Sequence, residues 1–464
     1  MEASVERPHS NVLDRMWAVL ETRPVLVIFL IALAVRAVIV LAASSYFSSR
    51  GLILDDATYN FMATDMAAGT TGDWDEFTHS LFWRTAAFLG PVTLIYKLFG
   101  PVKEIAQLFV ALLGAGTAAL TFKLAAELVS RRLAIGAGLA IALIPSQAFW
   151  SSMLMKDAAV WIVLVATAVL VAVAGRSTGR KLLLSGIGVA LMLGILAFLR
   201  EHTLVVAAWA VMVAAFFGSR LQRPQRIAGA LAIGICIPWF AANIGPAGLI
   251  LVTDSGSLAE RRFQNAVGAN TALVDTTPSG TQEELDEVNG ELGAVGEEID
   301  AISAGDFEGT REQSESRLAE LRAEQARLLE RKANLQTPIG GDEGALDPSI
   351  RHLPRGLSVM LIEPFPVPFT GSLSLRLAKA ESLLWYPLLV VAAIGLWVAR
   401  RHLRVLAFPM LAGAGILLMY ALAEGNVGTA HRHRGEFVWV VVILATLGIS
   451  HLAGRRRLLD ASST

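Results

Sequence analysis

Apolar runs near 20 residues long recur along this chain, at approximately 24–44, 104–128, 133–149, 157–175, 182–199, 203–218, 227–252, 381–399, 405–423 and 436–453. An α-helix rises about 1.5 Å per residue, so a run of that length crosses the roughly 30 Å hydrocarbon core of a bilayer. The pattern predicts an all-α polytopic membrane protein with about ten transmembrane helices. A composition 54% hydrophobic and only 17% charged fits the same solvent, because a water-soluble domain needs more charged surface. One further run, Leu81 to Phe99, is interrupted by Arg84, Pro91 and Lys97 and is ambiguous by length alone.

Cytoplasmic loops of membrane proteins carry excess Lys and Arg. Here the basic connections are the N-terminal segment, Arg131-Arg132, Arg176 to Lys181, Arg220 to Arg226, Arg400 to Arg404 and Arg455 to Arg457. All of them fall on one side if Leu81 to Phe99 lies along the outer interface instead of crossing. Were that run an eleventh span, Arg131-Arg132 and every later basic loop would lie opposite the N-terminus. The first arrangement is the expectation, with both termini cytoplasmic. The Ala- and Arg-rich usage points to the inner membrane of a high-GC bacterium. The polar residues 1–23 precede an apolar run that is too long for a signal peptide and lacks a small-residue cleavage site. A single cysteine, Cys236, excludes an intrachain disulfide and a Cys-based metal site. The net charge of −1 hides an acidic stretch from about Asp254 to Asp347, and no nucleic-acid partner is expected.

The spans divide the chain into a cytoplasmic N-terminus (1–23), a membrane core (24–252) with a first outer loop (45–101), an extracytoplasmic insertion (253–350), an outer interfacial segment (351–380), C-terminal transmembrane helices (381–453) and a cytoplasmic tail (454–464). Within the insertion, Thr281 to Glu284 reads as a capping box. It opens a helix whose Leu285, Val288, Leu292, Val295, Ile299 and Ile302 alternate three and four residues apart, as in a coiled coil. Leu318, Leu321, Leu328 and Leu335 form a second stripe, with Gly305 and Gly309 marking a turn between. The prediction is an antiparallel helical hairpin of about 25–30 Å. It is either a solvated accessory or an arm, 281–335, that docks a protein partner or a second copy of the chain. The proline-punctuated segment Arg351 to Thr370 is either an interfacial element closing over lipid or a rigid linker.

The outer connections carry ionisable residues. The first holds Asp55, Asp56, Tyr59, Asp65, Asp73, Asp75, Glu76, His79 and Arg84; later ones hold Ser151, Ser152, Lys156 and Asp157, then Arg200-Glu201-His202, then Glu424, Asn426 and His431-Arg432-His433-Arg434. Several sit in connections of a few residues near hydrocarbon depth, where an unpaired charge is costly. Such groups either pair with one another, for instance Asp157 with Arg200, or line a polar cavity. Arg36, inside the first span, is expected to face the bundle and pair with backbone or an acid. A carboxylate and cations together at a membrane boundary suit transfer from a lipid-linked phosphate donor, in which the carboxylate takes a proton from an acceptor hydroxyl and cations hold the leaving phosphate. Asp55 or Asp56 would be the base, and Lys156, Arg200, Arg432 and Arg434 the phosphate-neutralising set, with Tyr59, Arg84, Asp157, His202 and His431 beside the substrate. Asp56 alternatively binds a divalent cation, Mg or Mn, or the acidic pair caps the following helix.

Arg36 in the first span, Asp55, Asp56 and Tyr59 in the first outer loop, Ala63 and Gly69, Pro91 to Gly100 and Pro145 to Asp157 together resemble the GT-C superfamily of polyprenyl-phosphate-sugar-dependent glycosyltransferases, the protein mannosyltransferase-like branch known as glycosyltransferase family 39. The resemblance covers roughly Pro24 to Arg226. It implies a catalytic Asp at position 55 or 56, interfacial helices in the first outer loop, and an inverting transfer of sugar from a polyprenyl phosphate to a glycan, lipid or protein acceptor in cell-envelope synthesis. The C-terminal half departs from that pattern, and the helical hairpin is extra. The competing readings are a polysaccharide polymerase or ligase centred on the basic residues, a transporter or flippase, and a noncatalytic assembly scaffold. No internal repeat with midplane charges supports a transporter.

Overall fold

The computed structural model describes residues 20–47, 54–74, 76–218, 282–304, most of 313–328, 353–367, 369, 373–423 and 427–462. Among these residues every regular element is helical and there is no strand. The chain divides into two compact units, one formed by Met1–Thr253, Leu357–Ala421 and Ala430–Thr464, the other by Asp254–Gly356 and Leu422–Thr429.

The first unit contains α1 (Pro24–Phe47), α2 (Leu54–Ala68), α3 (Glu76–Phe99), α4 (Lys103–Ala125), α5 (Arg131–Leu143), α6 (Pro145–Trp150), α7 (Asp157–Ala174), α8 (Gly179–Ala197) and α9 (Glu201–Gly218). After α10 (Gln282–Ala304) of the second unit come α11 (Leu353–Leu361), α12 (Leu373–Ala399), α13 (Leu403–Ala423), α14 (Val427–His433) and α15 (Val438–Ser462). Six of these, α1, α4, α7, α8, α12 and α13, are long and apolar enough to cross a membrane. Val427–Glu436 and Val438–Gly454 make a seventh if the pair, bent by 63°, is one span. The protein is therefore a helical membrane protein, and α3, which contains the Leu81 to Phe99 run, is not among those six.

The difference from about ten has identifiable sources. The run 133–149 is not one helix: α5 has 13 residues, about 20 Å at 1.5 Å each, and breaks at Ile144-Pro145 before α6. Proline drives its predecessor out of the helical region, and Ile144 has φ −55° and ψ 122°. The run 203–218 lies in a shorter apolar helix, Glu201–Phe217. The run 227–252, with Cys236 and the Arg220 to Arg226 loop, lies outside the described residues.

Small residues set the close packing. α4 buries Ala106, Ala111, Gly114, Ala115, Ala118 and Ala119, which lets α1, α5 and α7 approach it. α12 and α15 come nearest of all: a methyl placed on Gly395 would lie 1.7 Å from the Leu444 carbonyl oxygen, so only glycine fits. α15 is buried all round from Val438 to Gly448, which an unbroken apolar run permits.

Contacts within this unit assign its two ends. At one end Arg131 donates to the Thr22 carbonyl, Arg132 pairs with Glu21 and Arg176 with Glu127, while Arg400 lies over Trp397, itself against His451. The basic connections Arg131-Arg132, Arg176 and Arg400 thus share one end. Asp56, Ser151 to Asp157, Arg200 and Arg432 to Glu436 are at the other.

In the second unit, Val295 and Ile302 of α10 are buried with Leu321, and Ile299, Leu318 and Leu328 pack around them. Arg317 pairs with Glu298 at 2.8 Å. The described residues of 313–328 are helical, so the two apolar stripes meet as an antiparallel pair. The Gly305 and Gly309 turn, Thr281 and Leu335 lie outside the described residues.

Candidate functional site

The break between α5 and α6 creates a backbone problem. Pro145 has no N–H for the Ile141 carbonyl, and the Ser146 N–H, which would have served Ala142, goes instead to Glu381 Oε2 at 2.6 Å. Arg36 solves it. Its Nη1 donates to Ala142 O (3.1 Å) and Ala32 O (3.0 Å), Nη2 to Ile141 O (3.3 Å) and Gln147 O (3.4 Å), and Nε to Ser151 Oγ (2.6 Å). Gly114 makes room, since a methyl there would lie 2.6 Å from Arg36 Nε. Irregular backbone at membrane depth persists only when its polar groups are satisfied from within the protein. The arginine therefore fastens the start of the Ser151 to Met155 stretch, which leads into α7.

That stretch meets the first acidic loop. Asp56 lies near the start of α2 as described, Leu54–Ala68. Asp56 reaches outward: Oδ1 accepts the Leu154 N–H at 3.1 Å and Oδ2 lies 2.7 Å from Lys103 Nζ at the start of α4. Asp56 is buried, whereas the Lys103 side chain is 37% exposed. Asp55 lies in the same helix, with its side chain outside the described residues. Tyr59 is buried edge-on to Phe88. Nearby, the Tyr96 hydroxyl donates to Asn60 Oδ1 at 2.5 Å. Burial, followed by the charges of Asp56 and Glu104, pushes that phenol above its ordinary pKa.

Three residues after Leu154 a second acid opens α7. Asp157 Oδ1 accepts from Arg200 Nη2 at 2.9 Å and Oδ2 from Arg432 Nε at 2.8 Å. Arg200 also donates through Nη1 to Glu436 Oε1 and to Tyr420 OH (2.9 Å). Glu436 further accepts from Tyr420 OH (2.5 Å) and Thr203 Oγ1 (2.9 Å). His202 Nε2 lies 3.2 Å from Tyr420 OH, and His433 stacks on the same ring at 4.3 Å. Burial disfavours the Arg200 cation, but Tyr420, Glu436 and Asp157 outweigh it and hold its pKa well above the ordinary value. Two carboxylates and two guanidiniums thus balance. Asp157 and Arg200 pair as one of the two sequence alternatives supposed.

Arg434 is spent differently. It donates to the carbonyls of Met360 (2.9 Å), Val359 (3.4 Å) and Glu363, closing the end of α11, and lies over Trp385. His431 is buried with Nε2 3.8 Å from Glu381 Oε1. Arg432, the least enclosed of the arginines here, lies 5.9 Å from the Trp150 ring centroid. Lys156 stands just before α7, half-buried, and Arg84 is exposed on α3.

The structure therefore brings together Asp56, Asp157, Arg200, His202 and Arg432 through the 151–157 stretch, and leaves Arg84 outside that set of contacts. Lys103, Thr203, Glu381, Tyr420 and Glu436 were not anticipated. Glu381 and Glu436 carried a signal: each opens an apolar run, and an acid at membrane depth needs a named partner. Among the described residues no group of three or more His, Cys, Asp or Glu is arranged to hold a metal ion. Lys103 occupies the place beside Asp56 Oδ2 that a cation would take, so this donor set does not fit Mg or Mn. Glu424 and Asn426 lie outside the described residues. Comparison with protein-family models finds no matching family, and comparison with curated proteins finds no similar one.

Proposed function

We propose that this protein is a membrane glycosyltransferase that moves a sugar from a polyprenyl-phosphate donor to a glycan, lipid or protein acceptor on the side opposite its basic loops. The observation that supports this reading is the placement of the buried Asp56 carboxylate between a half-exposed ammonium, Lys103, and the backbone of the stretch leading to Asp157 and Arg432. In the reaction Asp56 takes the proton of the acceptor hydroxyl, and the freed oxygen attacks the anomeric carbon. The bond from that carbon to the phosphate oxygen breaks, and polyprenyl phosphate departs with the bonding pair. Lys103 and Arg432 adjoin the two buried carboxylates and keep some access to solvent, and hence to the departing phosphate. Arg200 and Arg434, whose donors are engaged inside the protein, position the groups around them. No step is routed through a metal ion.

Asp56→Asn and Asp55→Asn, each in the full-length protein in nanodiscs, test the reading by release of polyprenyl phosphate from a panel of polyprenyl-phosphate sugars. Loss of a general base lowers turnover by about 10²–10⁴-fold, and that loss is expected for Asp56→Asn with donor binding retained. Full activity in both variants removes the carboxylate base and favours the polymerase or ligase reading. No release from any donor by the wild type favours an assembly scaffold.

A further inference from the structure

The basic end of the bundle holds a cavity that no part of the proposed reaction uses. It has a volume of about 720 Å³ and opens between the start of α1, the last turns of α4 and the start of α5. Its wall is apolar: Val25, Leu26 and Phe29 on α1, and Ala119, Phe122 and Ala126 on or just after α4. Ala119 and Phe122 are buried and form the floor, while Val25 and Leu26 are exposed on a helix that is itself apolar enough to span a membrane. Two cations complete the lining, Arg23 and Arg131. Arg131 donates to the carbonyl of Thr22, the neighbour of Arg23, so the two guanidiniums belong to one corner of the mouth. The pair Arg132 and Glu21 lies beside them and is already neutralised, whereas neither Arg23 nor Arg131 has an acidic partner among the described residues.

A volume of this size holds part of a chain-like molecule and lies within the range of small-molecule sites. Apolar walls open to hydrocarbon suit an acyl chain. Two arginines without an acidic partner among the described residues suit an anionic headgroup, and basic pockets between transmembrane helices are where such headgroups bind. We propose that this groove binds an anionic phospholipid, with its phosphate held by Arg23 and Arg131 and an acyl chain laid over Ala119 and Phe122. The charge complementarity selects this occupant: an anionic lipid brings net negative charge to the two arginines, whereas a zwitterionic lipid sets its own ammonium beside its phosphate, and a free phosphate would leave the apolar floor unused.

The test uses the full chain purified in detergent, with bound lipid counted by native mass spectrometry and thermal stability followed during titration. The probes are phosphatidylglycerol, phosphatidylcholine and inorganic phosphate. Phosphatidylglycerol is expected to be retained at one copy and to raise the unfolding temperature, with neither effect from phosphatidylcholine or phosphate. Removing both charges, Arg23→Gln with Arg131→Gln, should weaken phosphatidylglycerol binding by about thirtyfold. Because basic residues also set membrane orientation, Ala126→Trp provides a second variant that fills the mouth and keeps both arginines. It too should lose the bound lipid. Equal binding of phosphatidylcholine, a shift produced by inorganic phosphate alone, or unchanged lipid retention in Ala126→Trp would each overturn the proposal.

Discussion

The two ends of the membrane bundle carry the same kinds of ions and treat them in opposite ways. At the basic end the pairs are single and wet: the Arg132 and Glu21 side chains are 73% and 36% exposed, and those of Arg176 and Glu127 are 49% and 34% exposed. At the far end Asp157, Arg200 and Glu436 are buried, and each accepts or donates at least two hydrogen bonds. An exposed pair contributes about 0–1 kcal/mol. A buried pair contributes little net stability over an apolar substitute, yet removing one member strands the other at a cost of about 3–5 kcal/mol. The far-end ions are therefore less a source of stability than a commitment to one arrangement, and that arrangement sets the backbone beside Asp56.

The sharpest way to break this contrast is Arg200→Met. It leaves Glu436 without its cation and Asp157 with only Arg432, and the unfolding free energy in detergent is expected to fall by about 3–5 kcal/mol. Adding Glu436→Met should restore most of that loss, because the stranded charge goes with it. A single substitution as mild as one at the basic end would abolish the distinction. Arg434→Met comes next: three carbonyls at the end of α11 lose their donor, with about 1–3 kcal/mol expected. Hydrogen exchange should show the gain in opening confined to residues near 357–364. The smallest effect belongs to Glu127→Gln. The hydrogen bond from Arg176 outweighs partial burial and holds the Glu127 carboxyl below its ordinary range. A depressed carboxylate contributes stability above its unfolded pKa and loses it as pH falls through the folded one. Wild type and variant should thus differ by under about 1 kcal/mol at neutral pH and converge in acid, since both partners are well solvated. A difference matching that of Arg200→Met would break the comparison from the other side.

Much of the fold was legible because its signals are local. A span announces itself in about 20 consecutive residues, and basic connections are read one at a time. The shared end of Arg131, Arg132, Arg176 and Arg400 followed from that sorting, and the apolar pairing of α10 with 313–328 followed from the three-and-four spacing of its stripes. The broken α5–α6 helix was not legible, because its stability depends on Arg36 from another helix and on Glu381 from a third. In the site, Asp56 was singled out from the acidic loop, but Lys103, one residue before the 104–128 run, was not. Glu381 and Glu436 were taken as span boundaries. Whether an arginine is spent internally, as Arg434 is on α11, is fixed by tertiary geometry that the run His431 to Arg434 does not encode.

The fastening of the split helix also constrains how the protein is made. Ser146 obtains its acceptor from Glu381, 235 residues later in the chain, and Arg200 meets Glu436, 236 residues after itself. At about 5–20 residues per second from the ribosome, N-terminal part first, these partners arrive roughly 10–50 s apart. During that interval the early helices stand in the membrane with the Ser146 amide and the Nη1 side of the Arg200 guanidinium still waiting for acceptors. The amino-terminal half thus depends for its polar satisfaction on the later helices that carry Glu381 and Glu436, and a chain cut before Glu381 would leave the Ser146 amide and the Arg200 Nη1 open to lipid.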